Sequence, residues 1–552
     1  MNSYRWMLVS LWIFFASTCA GPAVPQNEPL PAPVERPPAA KAGPTAKPVD
    51  GPVRCLPSWV AESRWYDIHV PRFHNGERSN DPPGTLPWLG DWPPVGIESG
   101  KIADVSYGGD LQGVKARLGY LKDLGANTLL LTGCFESSSK SQPNPSVAPT
   151  VATGSSTDEA DSAGDSASPA FSGNDRVMLD LIGEVHRNGM RVVLHAPFGS
   201  MENGQQETGL FSWTRRWMDP NGDGNPDDGP DGWAIGGDVH RPWPEPVFRR
   251  WTETVKQANK NALTLETVPP RMKKGDVAGD FDLRVAHGVA YELHRFFAPS
   301  VKPEGPSDLM ELMRAMESHT TRENLNASVN ALSPLHESRF MSSQPLTTGA
   351  PQKVAVDDLA AGFRLAMIVQ QFMPGQPMTL YGDEVGMMGG EGALSNAPMW
   401  WPDLPGAAEK LSGYKSDFGS LLRWLHEQRA TRVVLSEGTF RVVMHDADKQ
   451  VLALARSLPG DDLILVVNYG KEKRKVMLPC GKPKVMIGVL IPNLGPPPLV
   501  KNAPQKPTGL TVSAPLLRVN GSRQISNTEG EIRLWLGPMS ARLVVVKDAG
   551  PS

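Results

Sequence analysis

The stretch from Asp110 to Phe135, DLQGVKARLGYLKDLGANTLLLTGCF, joins an amphipathic helix to an uninterrupted apolar strand. Leu111, Val114, Leu118, Leu121 and Leu124 recur at helical spacing, and Gly125 suits the C-cap. NTLLLTGCF then presents no polar face, as expected of a strand covered on both sides of its sheet. The pair returns downstream. RVMLDLIGEVHRNGM carries Val177, Leu181 and Val185 on one face and ends at Gly189, and RVVLHAPF follows as a strand. NALTLETV adds a strand, DDLAAGFRLAMIVQQFM a helix, and QPMTLYGDEVG a strand with its C-terminal loop. Repeated helix–strand units predict an α/β fold with a parallel sheet. Residues 137–173, rich in Ser, Ala, Asp and Pro, read as a flexible insertion. After about residue 430 the pattern changes to short strands such as QVLALARS, DLILVVNYG, KRKVMLP, EIRLWLG and ARLVVVKD, which predict a separate antiparallel β domain over 431–552.

The N-terminus carries different information. Arg5 precedes an apolar run from Trp6 to Ala16 and then the small residues ASTCAG, the pattern of an export signal over residues 1–19. Cys19 stands where a bacterial lipoprotein carries its lipidated cysteine, although Thr18 before it departs from that motif. Residues 20–58 are dominated by Pro and Ala, too poor in apolar side chains to fold, and form a tether. A tether directly after Cys19 favours a lipid-anchored envelope protein over a plainly secreted one. The other cysteines, Cys55, Cys134 and Cys480, allow one disulfide at most. The net charge of −4, with both signs spread along the chain, gives no basic block for nucleic acid. Tryptophan outnumbers tyrosine, 15 to 8, which suits either core packing or sugar stacking.

Four stretches, in this order, resemble glycoside hydrolase family 13, the α-amylase superfamily, and within it the cyclomaltodextrinase and neopullulanase-like group. They are VPRFHNGERSNDP (Val70–Pro82), YGGDLQGV (Tyr107–Val114), RWMDPNGDGNPDDGPDGW (Arg216–Trp233) and PGQPMTLYGDEVGMMGG (Pro374–Gly390). The resemblance implies a (β/α)8 TIM barrel over 59–430 and a C-terminal β-sandwich over 431–552, with the active site at the C-terminal ends of the barrel strands.

Retaining glycoside hydrolysis needs a carboxylate nucleophile and a carboxylic acid on opposite sides of the scissile bond. The resemblance also implies a third acid near the transition state, with Arg and His beside it. In the motif resembling LDVVFNH this chain reads LHAPFGS, so His195 takes the aspartate position and Gly199 and Ser200 the Asn–His pair. In the motif resembling GWRLDVADE it reads GWAIGGDVH, which puts Ala234 at the arginine and Gly236 at the nucleophile. LTLETV supplies Glu266 at the general acid/base position. ALSPLHESRF, set against LLDSHDTPRF, puts Leu335 at the histidine and His336 at the transition-state aspartate. One of the three carboxylates, Glu266, therefore remains. Asp238 and Glu337 are the neighbours that could replace the nucleophile, Asp238 lying about 6–7 Å farther along an extended strand.

The resemblance also implies a structural calcium site from Asn75, Glu77, Asn80, Asp81, the Gly108 carbonyl and Asp110, an oxygen-rich set. DPNGDGNPDD offers a candidate second metal loop through Asp219, Asn221, Asp223 and Asp227, without the closing Glu of an EF-hand. Scaffold motifs are kept while catalytic positions are replaced. The expectation is a glycosidase-like barrel without the nucleophile, acting on or binding α-glucan or another glycan. The alternatives are an active hydrolase or transglycosylase using Asp238 or Glu337, and a non-catalytic scaffold for a protein partner.

Overall fold

The structure, a computed structural model, describes residues 56–135, 171, 173–196, 204–236, 245–267, 281–298, 308–318, 328–342, 356–401, 403–404, 406, 418–479, 485–490, 524–525 and 531–548. Eight parallel strands close into a barrel in chain order: β1 (Trp65–His69), β2 (Thr128–Thr132), β3 (Arg191–His195), β4 (Gly232–Ile235), β5 (Leu263–Glu266), β6 (Leu283–Val285), β7 (Ser328–Ala331) and β8 (Gln376–Leu380). The ring is shut by Trp65, Tyr66 and Asp67 of β1 pairing with Met378, Thr379 and Leu380 of β8. Side chains alternate along each strand. One set fills the barrel interior, including Trp65, Leu130, Val193, Ala234, Leu265, Val329 and Met378. The other set, with Tyr66, Leu129, Leu131, Val192 and Trp233, packs outward against the helices.

The helix expected over 111–124 is two helices, α1 (Leu111–Ala116) and α2 (Leu118–Asp123), because Arg117 leaves the helical region at φ −105°, ψ 5°. Its guanidinium lies 4.0 Å over the Trp401 ring, reaches Asp403 Oδ2 at 2.8 Å and lies 2.8 Å from His74 Nε2. One side chain thus ties the segments that follow β1 and β8. Gly125 ends α2 at φ +80°, and a Cβ there would stand 2.9 Å from His426 Cβ. The later helices expected from the sequence are α3 (Gly173–Arg187) and α4 (Val356–Phe372).

Beyond the barrel, six strands form a sheet in the order β14–β13–β16–β11–β10–β9: β9 (Thr439–Asp446), β10 (Val451–Leu458), β11 (Asp461–Asn468), β13 (Val485–Leu490), β14 (Gln524–Ile525) and β16 (Ser540–Asp548). A two-stranded ribbon, β12 (Arg474–Pro479) with β15 (Glu531–Leu536), lies on it. Val476, Leu478, Ile532, Leu534 and Leu536 of the ribbon pack with Val451, Ala453, Val466 and Val544 of the large sheet. This is an antiparallel sandwich with alternating strands. β13 and β14 were not among the strands read from the sequence. Trp65, Trp217, Trp233, Trp251 and Trp401 are fully buried, so most described tryptophans of the barrel are core. Cys134 is buried and unpaired; Cys19, Cys55 and Cys480 lie outside the described residues.

Candidate active site

The C-terminal ends of the strands bring together most of the positions singled out in the sequence. His69 ends β1, His195 ends β3, Gly236 follows β4, Glu266 ends β5, and Leu335, His336 and Glu337 follow β7. Gly199, Ser200 and Asp238 lie outside the described residues.

Gly236 is not an open socket. A Cβ on it would overlap Thr267 Oγ1 outright and stand 2.8 Å from the Thr267 carbonyl carbon. Thr267, the residue after Glu266, is drawn there by two hydrogen bonds to the Ile235 carbonyl, from its amide at 2.9 Å and its hydroxyl at 3.2 Å. Thr267 thus extends the β4–β5 ladder by one residue and lays its side chain against Gly236. Ala234, one turn of the pleat earlier, is fully buried in the barrel interior.

Glu266 stands opposite Arg284 of β6 in the strand register, and its Oε2 is 2.8 Å from Arg284 Nε. Its side chain is 12% exposed. Burial pushes the carboxyl above the ordinary glutamate range; Arg284 and then His287 pull it part of the way back. His287 Nδ1 lies 2.7 Å from Glu337 Oε1, and its Nε2 lies 3.3 Å from the Thr267 carbonyl. Both ring nitrogens thus face acceptors. Glu266, Arg284, His287, Glu337 and Thr267 form one connected polar group on the β4–β7 side of the mouth.

Across from it the mouth is lined by histidine. His195 is pushed down to about 4, first by burial and then by His336. His69 is pushed down to about 3 by burial, with Arg72, His336 and His195 adding to the effect. His336 is exposed, adopts φ +70°, and its Nδ1 lies 3.3 Å from Asn396 Nδ2. At neutral pH the His69 and His195 rings are uncharged. They offer no negative charge to an oxocarbenium-like transition state, which the three acids of a retaining site supply. Leu335 packs against the apolar core.

The candidate calcium residues are adjacent but face one another. Asp110 caps α1: its Oδ1 accepts from the Gly113 and Gly76 amides at 2.6 and 3.0 Å, and its Oδ2 from the Glu77 amide and Asn80 Nδ2 at 2.9 and 3.1 Å. Asn75 Nδ2 donates to both oxygens of Asp81, at 2.7 and 3.0 Å. Glu77 turns to the Ser79 hydroxyl at 2.7 Å. Gly108, at φ +77°, packs so closely that a Cβ would overlap Asp81 Oδ1 and Asn75 Nδ2. A calcium ion needs six to eight oxygens converging on one point. Here N–H groups face the Asp110 and Asp81 oxygens, while Asn75 Oδ1 of the same set is buried without a hydrogen-bond partner. The second loop is a chain of Asx turns: Asp219 Oδ2 accepts from the Gly224 amide at 3.0 Å, Asn221 Oδ1 from Asp223 at 2.9 Å, and Asp227 donates its amide to Asn225 Oδ1 at 3.3 Å. Among the described residues no three His, Cys, Asp or Glu side chains stand in metal-holding geometry.

A buried polar group behind the mouth was not read from the sequence. Arg339, fully buried, donates to Asp383 Oδ1 at 3.0 Å, the Tyr381 carbonyl at 2.8 Å and the Ser395 carbonyl at 2.8 Å. Asp67 of β1 shares the same cation. Burial pushes both carboxyls up to about 7, with Arg339 opposing the rise.

Residues 67–199, which contain the end of β1 and all of β2 and β3, match the family described as alpha amylase, catalytic domain. Over this segment the chain resembles an α-amylase catalytic domain. Across 475 residues it is 26% identical to Neopullulanase 2 of Thermoactinomyces vulgaris, covering 76% of this chain and 72% of that protein. A cyclomaltodextrinase of Thermoanaerobacter pseudethanolicus is 25% identical over 473 residues, with the same shares covered. Among solved structures, the α-amylase of Anoxybacillus superposes with a TM-score of 0.59 at 16% identity, over 89% of this chain and 99% of that one. The barrel and sandwich are thus an α-amylase architecture, and the mouth described above is where that architecture places its chemistry.

Proposed function

We propose that this α-amylase-family chain binds α-glucan at the mouth of its barrel without hydrolysing it by double displacement. The observation that carries the reading is the packing of Thr267 on Gly236: the nucleophile position holds no side chain, and Thr267 fills the space where one would stand. Glu266 in turn is engaged by Arg284. A glycosyl-enzyme ester needs a carboxylate within reach of the anomeric carbon, and an acid/base without its nucleophile loses several powers of ten in rate because the members act together. Relatives named for action on maltodextrins and pullulan make α-glucan the ligand class of choice. Purified protein incubated with starch, pullulan and cyclodextrins is expected to release no reducing sugar, while calorimetry with maltoheptaose gives saturable binding. Turnover that vanishes in Glu266→Gln would overturn the reading.

One observation favours a second reading. Glu337 and Glu266 both approach His287, so a displaced carboxylate pair exists on one side of the mouth. A hydrolase using Glu337 predicts a covalent glycosyl adduct on Glu337, detectable by mass spectrometry of a trapped enzyme. We further read the chain as exported and held by a lipid on Cys19. Palmitate labelling that disappears in Cys19→Ala tests this.

A further inference from the structure

We propose that the outward face of the β12–β15 ribbon rests on an anionic lipid bilayer. The ribbon alternates cleanly. Its inner side chains close the sandwich core, and its outer ones are Lys475, Met477 and Pro479 on β12 with Arg533 and Trp535 on β15. Strand pairing sets Lys475 opposite Trp535 and Met477 opposite Arg533, so aromatic, thioether and cations form one patch. Trp535 is 50% exposed and Met477 36%, two of the few large apolar side chains on the described surface. Lys473 Nζ lies 5.1 Å from the centre of the Trp535 ring. Neighbouring charges are already matched: Arg474 pairs with Glu472 at 2.8 Å and Lys471 with Asp358 at 2.7 Å.

The chemistry of the patch selects its occupant. Tryptophan and lysine or arginine together are the side chains that settle at a membrane–water interface, the ring among the acyl boundary and the cations among the headgroups. A glycan would call for amide or carboxylate side chains beside the ring to take its hydroxyls. This face holds no amide, and its acid, Glu531, stands at the far end opposite Pro479. Residues 491–523, outside the described residues, contain Lys501, Lys506, Arg518 and Arg523 and no acid, the same sign of charge as the patch. Charge complementarity therefore points to an anionic surface, and the exposed Trp–Met pair points to lipid. Among the described residues no helix is long and apolar enough to cross a membrane, so the contact is peripheral.

The test is lysine acetylation of the full chain, read by mass spectrometry, on vesicles of phosphatidylcholine alone and of equimolar phosphatidylglycerol and phosphatidylcholine. Lys473 and Lys475 are expected to lose reactivity at least fivefold on the anionic vesicles, with little change on the neutral ones. The protection should vanish in about 0.5 M salt. In co-sedimentation, Lys473→Glu, Lys475→Glu and Arg533→Glu together should lower the preference for anionic vesicles about 100-fold, at roughly fivefold per cation. Trp535→Ser, which leaves the cations in place, should weaken binding to anionic vesicles as well. Equal reactivity on both vesicle types, or protection by maltoheptaose or by a nucleic acid in place of vesicles, would overturn the proposal. Neither result bears on sugar binding at the barrel mouth, which is read separately by calorimetry.

Discussion

The packing of Thr267 on Gly236 makes a quantitative prediction. Adding one methyl group, Gly236→Ala, forces Thr267 away from the Ile235 carbonyl or bends the end of β4, because the new carbon meets both the Thr267 hydroxyl and its backbone. Overpacking of this kind costs about 1–3 kcal/mol. Loss of the hydroxyl hydrogen bond to Ile235 adds about 1 kcal/mol at most. Thr267→Ala alone should cost about 1 kcal/mol, since it removes that bond and leaves a small gap. In the double variant the hydroxyl overlap is gone while the contact with the Thr267 carbonyl carbon at 2.8 Å persists. The two substitutions should therefore couple favourably by about 0.5–1.5 kcal/mol, without recovering the parent stability. Equilibrium urea unfolding of the four proteins closes the cycle. A Gly236→Ala variant as stable as the parent, or a coupling of zero, would refute the packing argument and reopen Gly236 as a site able to take a carboxylate. The same geometry says that Gly236→Asp with Ala234→Arg fails to restore hydrolysis while Thr267 stays in place.

Other outcomes follow from described contacts. Asp67 and Asp383 hold their protons up to about pH 7 in the folded state, far above the ordinary aspartate value, so their contribution to stability is full at low pH and lost as pH rises through 7. Asp67→Asn should thus raise the unfolding free energy at both pH values, and by on the order of 2–3 kcal/mol more near pH 8 than near pH 5, as read by urea titrations. Arg339→Met should cost about 3–5 kcal/mol near pH 8, because it strands buried carboxylates, and less at low pH where they are neutral. Chelation with EDTA should leave the thermal midpoint unchanged, since the Asp110 and Asp81 oxygens are satisfied by N–H donors; a fall restored by calcium would contradict that geometry.

The barrel was legible because its strands are apolar runs between amphipathic helices, and that pattern survives almost any local irregularity. The strand led in by Asp231, Gly232 and Trp233 was legible too, and Gly236 follows directly after β4. What the sequence could not reveal is which neighbour fills a missing side chain. Thr267 is an ordinary residue after Glu266, and its role depends on a contact between adjacent strands. Arg284 was missed because β6 is three residues long, too short for an alternation to be seen. The break at Arg117 was missed because its helical periodicity is intact on both sides; the side chain's tertiary partners, His74, Trp401 and Asp403, outweigh one backbone hydrogen bond. The calcium set came from the family resemblance, which carries over oxygens but not the directions in which their lone pairs point.

Arg117 has a bearing on how any ligand would be received. By bridging the segments after β1 and β8 it fixes their spacing in the free protein, so that part of the surface does not wait for a ligand to be organised. Its ordering entropy is paid once, during folding, and association there is charged only for the ligand. A guest that fits should dock at a rate set by diffusion and orientation, whereas one that requires those segments to part must first break a cation–aromatic contact and an ion pair. Selection on that side is by shape, and its kinetic mark is a concentration-dependent association phase with no slow isomerisation behind it.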